Sequence, residues 1–104
     1  MKLQEIDYEV SVPPLYSQHG TRNPRVHARF HLPGSRLVWY AVEGSPDGDD
    51  FNFFGYALHP FPKPCFFLLS ELKRVERNTG TNILVEIGFD PIPLSEAQGV
   101  LSAL

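Results

Sequence analysis

The chain has 104 residues, of which 42% are hydrophobic and 12% aromatic, a composition typical of one folded domain rather than a disordered chain. Nine Lys and Arg residues against twelve Asp and Glu residues give a net charge of −3. This balance argues against a dedicated duplex-DNA binder, which needs a clearly basic surface, and against a strongly acidic DNA mimic. The acidic residues near the start, and the lack of a run of roughly 20 apolar residues, predict a cytoplasmic protein outside the membrane.

The beginning of the chain offers few signals of regular structure. Residues 1–12 are polar with scattered apolar positions and predict a short strand or a docked arm. Pro13 and Pro14 then predict extended backbone, because each proline fixes its own φ and restricts the residue before it. A polar loop from Ser17 to Pro24 follows.

The rest of the chain alternates between strand signals and turn residues. Five segments have the apolar alternation or the β-branched and aromatic content of strands: 26–32, 37–43, 50–58, 65–69 and 83–89. Ser70 is expected to cap a short helix through Arg77, and Ser95 and Gln98 form a capping-box pair for a C-terminal helix that ends within 97–104. We expect one domain over residues 1–104 with an α+β fold, an antiparallel β-meander sheet of about five strands with two short helices.

A trial register for the hairpins separates the two faces of this sheet. A tight turn at 33–36 pairs Phe30 with Trp39, and a loop at 44–49 then places Trp39 opposite Gly55. In strand 26–32 the apolar side begins with Val26. The face that this register fills with apolar side chains is the expected core: Ala28, Phe30, Leu32, Leu37, Trp39, Ala41, Phe53 and Ala57.

The opposite face mixes aromatic, basic and polar side chains: His27, Arg29, His31, Val38, Tyr40, Val42, Asn52, Phe54 and Tyr56. Such a mixture suits a protein interface or a single-stranded nucleic-acid platform. It also suits a face whose rings are covered by a helix or by the N-terminal arm. The acidic second hairpin is either a solvated turn or a loop that meets a basic partner. The candidate partner-binding residues are Arg29, His31, Tyr40, Phe54, Tyr56, Glu43, Asp47, Asp49 and Asp50.

Residues with catalytic or metal-binding chemistry do not form a known pattern. His27 and His31 lie about 13 Å apart on a strand, too far to bind one metal ion together. The fragment 47–49 resembles part of a calcium loop, but Leu58 stands where the glutamate ligand belongs. Cys65 is the single cysteine and has apolar neighbours, so we expect a structural thiol. Phosphate-binding, nucleophile-elbow and zinc-helix motifs are absent from the sequence, which predicts no enzyme, metal or cofactor.

Several segments, in this order and spacing, resemble domain of unknown function 2958, a family of small bacterial proteins. The segments are Pro13–Tyr16, Pro24–Phe30, Val38–Glu43, Phe54–Gly55, Phe67–Leu72 and Phe89–Glu96. The similar core is about 13–96, and Pro62 to Cys65 departs from the family pattern, which has an acidic, glycine-bearing approach there.

The resemblance implies a non-enzymatic accessory protein of mobile genetic elements. Some relatives are regarded as inhibitors of host CRISPR nucleases, so the implied partner is a type II CRISPR effector nuclease. A single-stranded nucleic-acid binder and a small enzyme with a loop-built site are the alternatives.

Overall fold

The computed structural model describes residues 3, 6–18, 20, 23–58 and 63–93. Its helices and strands are α1 (Tyr8–Ser11), β1 (Arg25–His31), β2 (Val38–Asp47), β3 (Asp50–Ala57), β4 (Lys63–Leu68), α2 (Leu69–Thr79) and β5 (Leu84–Pro93). The five strands form one antiparallel sheet in the order β4-β3-β2-β1-β5. This confirms the predicted α+β fold. The helix predicted around Ser95 and Gln98 lies outside the described residues.

The first hairpin has the predicted register. Phe30 pairs with Trp39, and Ala28 pairs with Ala41. The turn between the strands contains Gly34 at φ 78°, a left-handed conformation that costs glycine little. Turn chemistry and the alternation of apolar residues together determine this part of the sheet.

The second hairpin differs from the prediction. β2 continues to Asp47, which pairs with Asp50 across a two-residue turn, so residues 44–47 are strand and not loop. Trp39 consequently pairs with Ala57 and not with Gly55. The register also shifts at a β-bulge between Ala41 and Glu43. A bulge inserts one extra residue into a strand and reverses the faces of the residues that follow it.

One face of the sheet carries the main core, as predicted. Its buried members include five of the predicted core residues: Ala28, Phe30, Leu32, Ala41 and Phe53. Leu37 and Trp39 are partly buried against them, and Ala57 is half-buried. Tyr8 of α1 and Leu72 of α2 belong to the same cluster, so both helices pack on this face.

Tyr8 occupies the centre of this core. Helix α1 lies where a short strand or a docked arm was predicted. It docks through the Tyr8 ring, whose centroid lies 5.2 Å from that of Phe53 and 5.7 Å from that of Phe51. The Tyr8 hydroxyl donates a hydrogen bond of 2.7 Å to the carbonyl oxygen of Leu3, which is also buried. Burial raises the pKa of the Tyr8 phenol. The polar N-terminal segment is therefore attached by an aromatic anchor with a satisfied hydroxyl.

We expect Tyr8→Phe to lower the free energy of unfolding by about 1 kcal/mol, because the ring contacts stay while the buried Leu3 carbonyl loses its donor. Urea denaturation followed by circular dichroism measures this loss. The matched control is Tyr16→Phe, since Tyr16 is 66% exposed, and it should stay within about 0.5 kcal/mol of wild type. Equal stability of Tyr8→Phe and wild type would contradict the role of the hydroxyl.

Helix α2 begins one residue before the predicted cap. Leu68 is its N-cap residue, and Ser70 lies inside the first turn. The Asp50 carboxylate accepts hydrogen bonds from the Ser70 backbone N–H (3.0 Å) and from the Ser70 hydroxyl, so a strand residue caps the helix from outside. The helix ends at Gly80, whose φ of 67° suits a left-handed C-cap.

Asp50→Asn should lower the free energy of unfolding by roughly 0.5–1 kcal/mol at neutral pH, because the helix N-terminus loses a negative charge and Ser70 loses a charged acceptor. The hydrogen bond from the Ser70 hydroxyl holds the pKa of Asp50 below its ordinary value of 3.8. The cap therefore stabilises the fold fully above pH 3.8 and loses its effect as the pH falls through the lower, folded-state pKa. Urea denaturation at pH 7 and at pH 3 should show a larger acid-induced loss for wild type than for Asp50→Asn. Asp49→Asn changes an exposed neighbour and is the control; an equal loss in both variants would contradict the cap.

Candidate functional site

The segment 13–18 is attached to the second half of β2. The Gly44 N–H donates to the Pro13 carbonyl oxygen at 2.8 Å, and the Leu15 N–H donates to the Ser45 hydroxyl at 3.0 Å. The side chain of Gln18 continues the attachment, because its Nε2 donates to the Val42 carbonyl oxygen at 2.9 Å. The predicted polar loop is thus hydrogen-bonded to the sheet at its start.

Glu43 is the centre of this attachment. It lies in a strand, as predicted, but it was also grouped with the exposed acidic residues of the second hairpin, and that exposure is wrong, because Glu43 is 4% exposed. Its Oε1 accepts the Tyr16 N–H at 2.7 Å, and its Oε2 accepts the Gln18 N–H at 2.9 Å. The bulge turns Glu43 to the side of Phe54, with which it pairs on β3. Hydrogen bonds to a charged carboxylate are stronger than neutral ones, which offsets part of the cost of burying it.

Tyr16 has an unusual backbone conformation beside this carboxylate. Its φ is 71°, in the left-handed region that is uncommon for residues other than glycine. Its side chain is 66% exposed. Such strain costs roughly 1–3 kcal/mol and is concentrated at functional sites, where the surrounding contacts maintain it. Here the hydrogen bond from the Tyr16 N–H to Glu43 is one of those contacts.

Tyr16, Glu43, Phe54 and Phe66 line a pocket of about 330 Å³, which we call the aromatic pocket. Phe54 and Phe66 are cross-strand partners on β3 and β4, and their ring centroids lie 4.9 Å apart at 58°. Phe66 is 51% exposed. The pocket lies on the sheet face opposite the main core, because Phe53 and Phe67, the neighbours of these rings in the chain, are buried in that core.

The centre of the same face is packed and does not form an open surface. Tyr40, a predicted partner-binding residue, is 1% exposed, and burial raises its pKa. Tyr40 forms a second buried cluster with Val26 and Val38, so Val26 does not share the side of Ala28, although the alternation in strand 26–32 predicted that it would. The pairing of β1 with β5 is irregular next to Val26. Tyr56 packs against the second cluster and is half-buried.

The predicted basic residues of this face are engaged within the fold. Arg29 forms a salt bridge with Glu86, and its guanidinium group interacts with the Tyr40 phenol. His31 Nε2 lies 3.3 Å from the Ser35 carbonyl oxygen in the first turn. Burial, with a smaller contribution from the charge of Arg25, lowers the pKa of His27 and favours its neutral form.

The acidic hairpin residues separate into different environments. Asp47 is exposed at the end of β2, Asp49 is exposed in the turn, and Asp50 caps α2. Cys65 is half-buried, and burial raises the pKa of its thiol. Among the described residues, no group of three His, Cys, Asp or Glu side chains could hold a metal ion.

Of the predicted site residues, Glu43 and Phe54 line the aromatic pocket. Sequence reasoning missed Tyr16 and Phe66. Phe66 could have been assigned to this face, since it alternates with Phe67 in a predicted strand. The sequence carries no comparable signal for Tyr16, whose position depends on its contact with Glu43, 27 residues away.

Comparisons with known proteins do not add to this description of the site. In the part of the chain that the structure describes, neither helix is long and apolar enough to cross a membrane. No family model, curated protein or solved structure matches the chain. The resemblance to domain of unknown function 2958 therefore stays a prediction.

Proposed function

We propose that the protein acts without catalysis, by binding a protein partner at the aromatic pocket. The observation that carries this proposal is the exposure of two large aromatic side chains at one pocket, 66% for Tyr16 and 51% for Phe66. Exposed aromatic rings beside a pocket are typical of the residues that contribute most to binding energy in protein interfaces. The strained backbone of Tyr16 supports the same location.

Single-stranded nucleic acid is less well supported as the ligand of this face. The guanidinium group of Arg29 is already paired with Glu86, and the carboxylate of Glu43 at the aromatic pocket repels phosphate groups. Nucleic-acid platforms combine stacking rings with basic side chains that track the backbone. In the aromatic pocket the rings lie beside the negative charge of Glu43 instead.

The resemblance to domain of unknown function 2958 makes a type II CRISPR effector nuclease the first partner to test. In this role the protein is an accessory protein of mobile genetic elements that inhibits a host defence nuclease. Its net charge of −3 is too small for mimicry of the DNA that such a nuclease holds in a positively charged channel. Binding by shape and by a few anchoring side chains fits this charge better.

A pull-down against a panel of type II effector nucleases at physiological salt tests this proposal. We expect a nuclease to be retained and its target DNA to be protected from cleavage. Phe66→Ala should weaken retention roughly tenfold or more. Leu84→Ala, which removes another exposed apolar side chain (56%), is the matched control and should bind as wild type.

Failure to retain any nuclease, with target DNA still cleaved, would remove these nucleases as partners. If Phe66→Ala retains the nuclease as well as wild type does, the aromatic pocket is not the binding site. Tight binding of single-stranded DNA that falls steeply with salt would favour the nucleic-acid alternative instead.

A further inference from the structure

We infer that the aromatic pocket binds the guanidinium group of an arginine side chain on the protein partner. This inference rests on the proposed function and adds the chemical group that the pocket recognises. Three features support it: the charge of Glu43, the rings around that charge, and the arrangement of the two carboxylate oxygens.

The charge at the pocket favours a cation. Glu43 lines the aromatic pocket, and the two backbone N–H groups that donate to its carboxylate carry no net charge, so they leave its negative charge in place. An apolar occupant would bury this charge further without compensating it, which is costly. A cationic occupant compensates it with an opposite charge.

The aromatic rings favour the same kind of occupant. Phe54 and Phe66 lie beside each other with centroids 4.9 Å apart, and Tyr16 contributes a third ring to the lining. The faces of aromatic rings carry negative potential and attract cations, most often the guanidinium of arginine in proteins. The volume of about 330 Å³ lies within the range for ligand pockets and is large enough for an arginine side chain.

The carboxylate geometry selects arginine among cations. Each oxygen of Glu43 accepts one backbone N–H, one from Tyr16 and one from Gln18. With these two donors among the described residues, each oxygen keeps one lone pair, because a carboxylate oxygen has two. A guanidinium group offers two parallel N–H donors and can use one acceptor site on each oxygen, whereas the lysine ammonium is a strongly hydrated point charge.

Nuclear magnetic resonance titration of the intact protein with Nα-acetyl-arginine methylamide tests the inference. We expect shifts of the ring signals of Tyr16, Phe54 and Phe66, with a dissociation constant on the order of millimolar. The citrulline analogue has the same shape without the charge and should cause no such shifts. Phe66→Leu keeps an apolar side chain but removes the ring, and it should weaken arginine binding at least about threefold. Leu84→Ala is the control and should bind arginine as wild type.

Equal shifts with the citrulline analogue would overturn the inference, as would the absence of shifts with arginine. Tighter binding of the lysine analogue or of tetramethylammonium would overturn the choice of arginine. If a nuclease is retained in a Phe66-dependent manner while arginine causes no shifts, this inference fails and the proposed function stands. If arginine binds and no nuclease is retained, the nucleases are removed as partners and the arginine site stands.

Discussion

Gly55→Ala is expected to lower the free energy of unfolding by more than about 4 kcal/mol, a large fraction of the roughly 5–15 kcal/mol that stabilises a typical domain. A Cβ atom at Gly55 would lie 1.7 Å from the carbonyl oxygen of Tyr40 and 3.1 Å from the Cα of Ala41. These are backbone atoms of the neighbouring strand β2, so no side-chain rotation relieves the overlap. The strands β2 and β3 would have to separate at the middle of the sheet.

Urea denaturation and a thermal melt followed by circular dichroism measure this effect. Gly34→Ala is the control, because a Cβ there meets no atom within 4 Å and only the φ of 78° is unfavourable. The control should lose about 1–2 kcal/mol, the cost of a left-handed conformation. If Gly55→Ala is as stable as Gly34→Ala, the close approach of the two strands is wrong.

The second large effect is expected for Glu43→Ala, which should lower the free energy of unfolding by about 3 kcal/mol. The substitution leaves the N–H groups of Tyr16 and Gln18 without their acceptor, and each hydrogen bond to a charged group contributes about 1.5–3 kcal/mol. Part of this is regained because the buried charge is removed. The segment 13–18 should also detach locally from β2, since Glu43 holds two of its backbone groups.

Amide hydrogen exchange measures the local part of this prediction directly. The Tyr16 and Gln18 amides should exchange roughly tenfold faster or more in Glu43→Ala than in wild type, in line with the lost hydrogen bonds. Asp49→Ala removes an exposed carboxylate from the neighbouring turn and should change stability by less than about 0.5 kcal/mol. Unchanged exchange at both amides would show that Glu43 does not hold this segment.

The sequence was informative where local patterns determine the structure. The alternation in 26–32 and the turn residues Pro33 and Gly34 gave the register of the first hairpin correctly. The two faces of β3 were also assigned correctly. Trp39 pairs with Ala57 and not with the predicted Gly55, and a shift of two residues along β3 leaves each side chain on the same face of the sheet. Helix α2 follows the spacing of Leu72 and Val75, which face the main core.

The candidate site depends on features that local patterns do not encode. The local signal near the bulge at Val42 is Gly44, which was assigned to a loop, and the bulge moves Glu43 to the face of Phe54. The burial of Glu43 depends on backbone groups 25 and 27 residues away in the chain. Glu43 was therefore predicted to be exposed, together with the acidic residues of the neighbouring turn. Phe66 was missed for a simpler reason, because the fourth strand was predicted without assigning its faces.

Hydrogen exchange of the protein alone and in complex with the nuclease that it retains tests most directly whether the aromatic pocket is the binding site. We predict that binding slows exchange in residues 14–18 and in β4, which carry Tyr16 and Phe66 at the pocket. Exchange in α1 and α2, which pack on the opposite face, should stay unchanged. Protection confined to the helices, with residues 14–18 and β4 unaffected, would contradict a pocket-centred mode of binding.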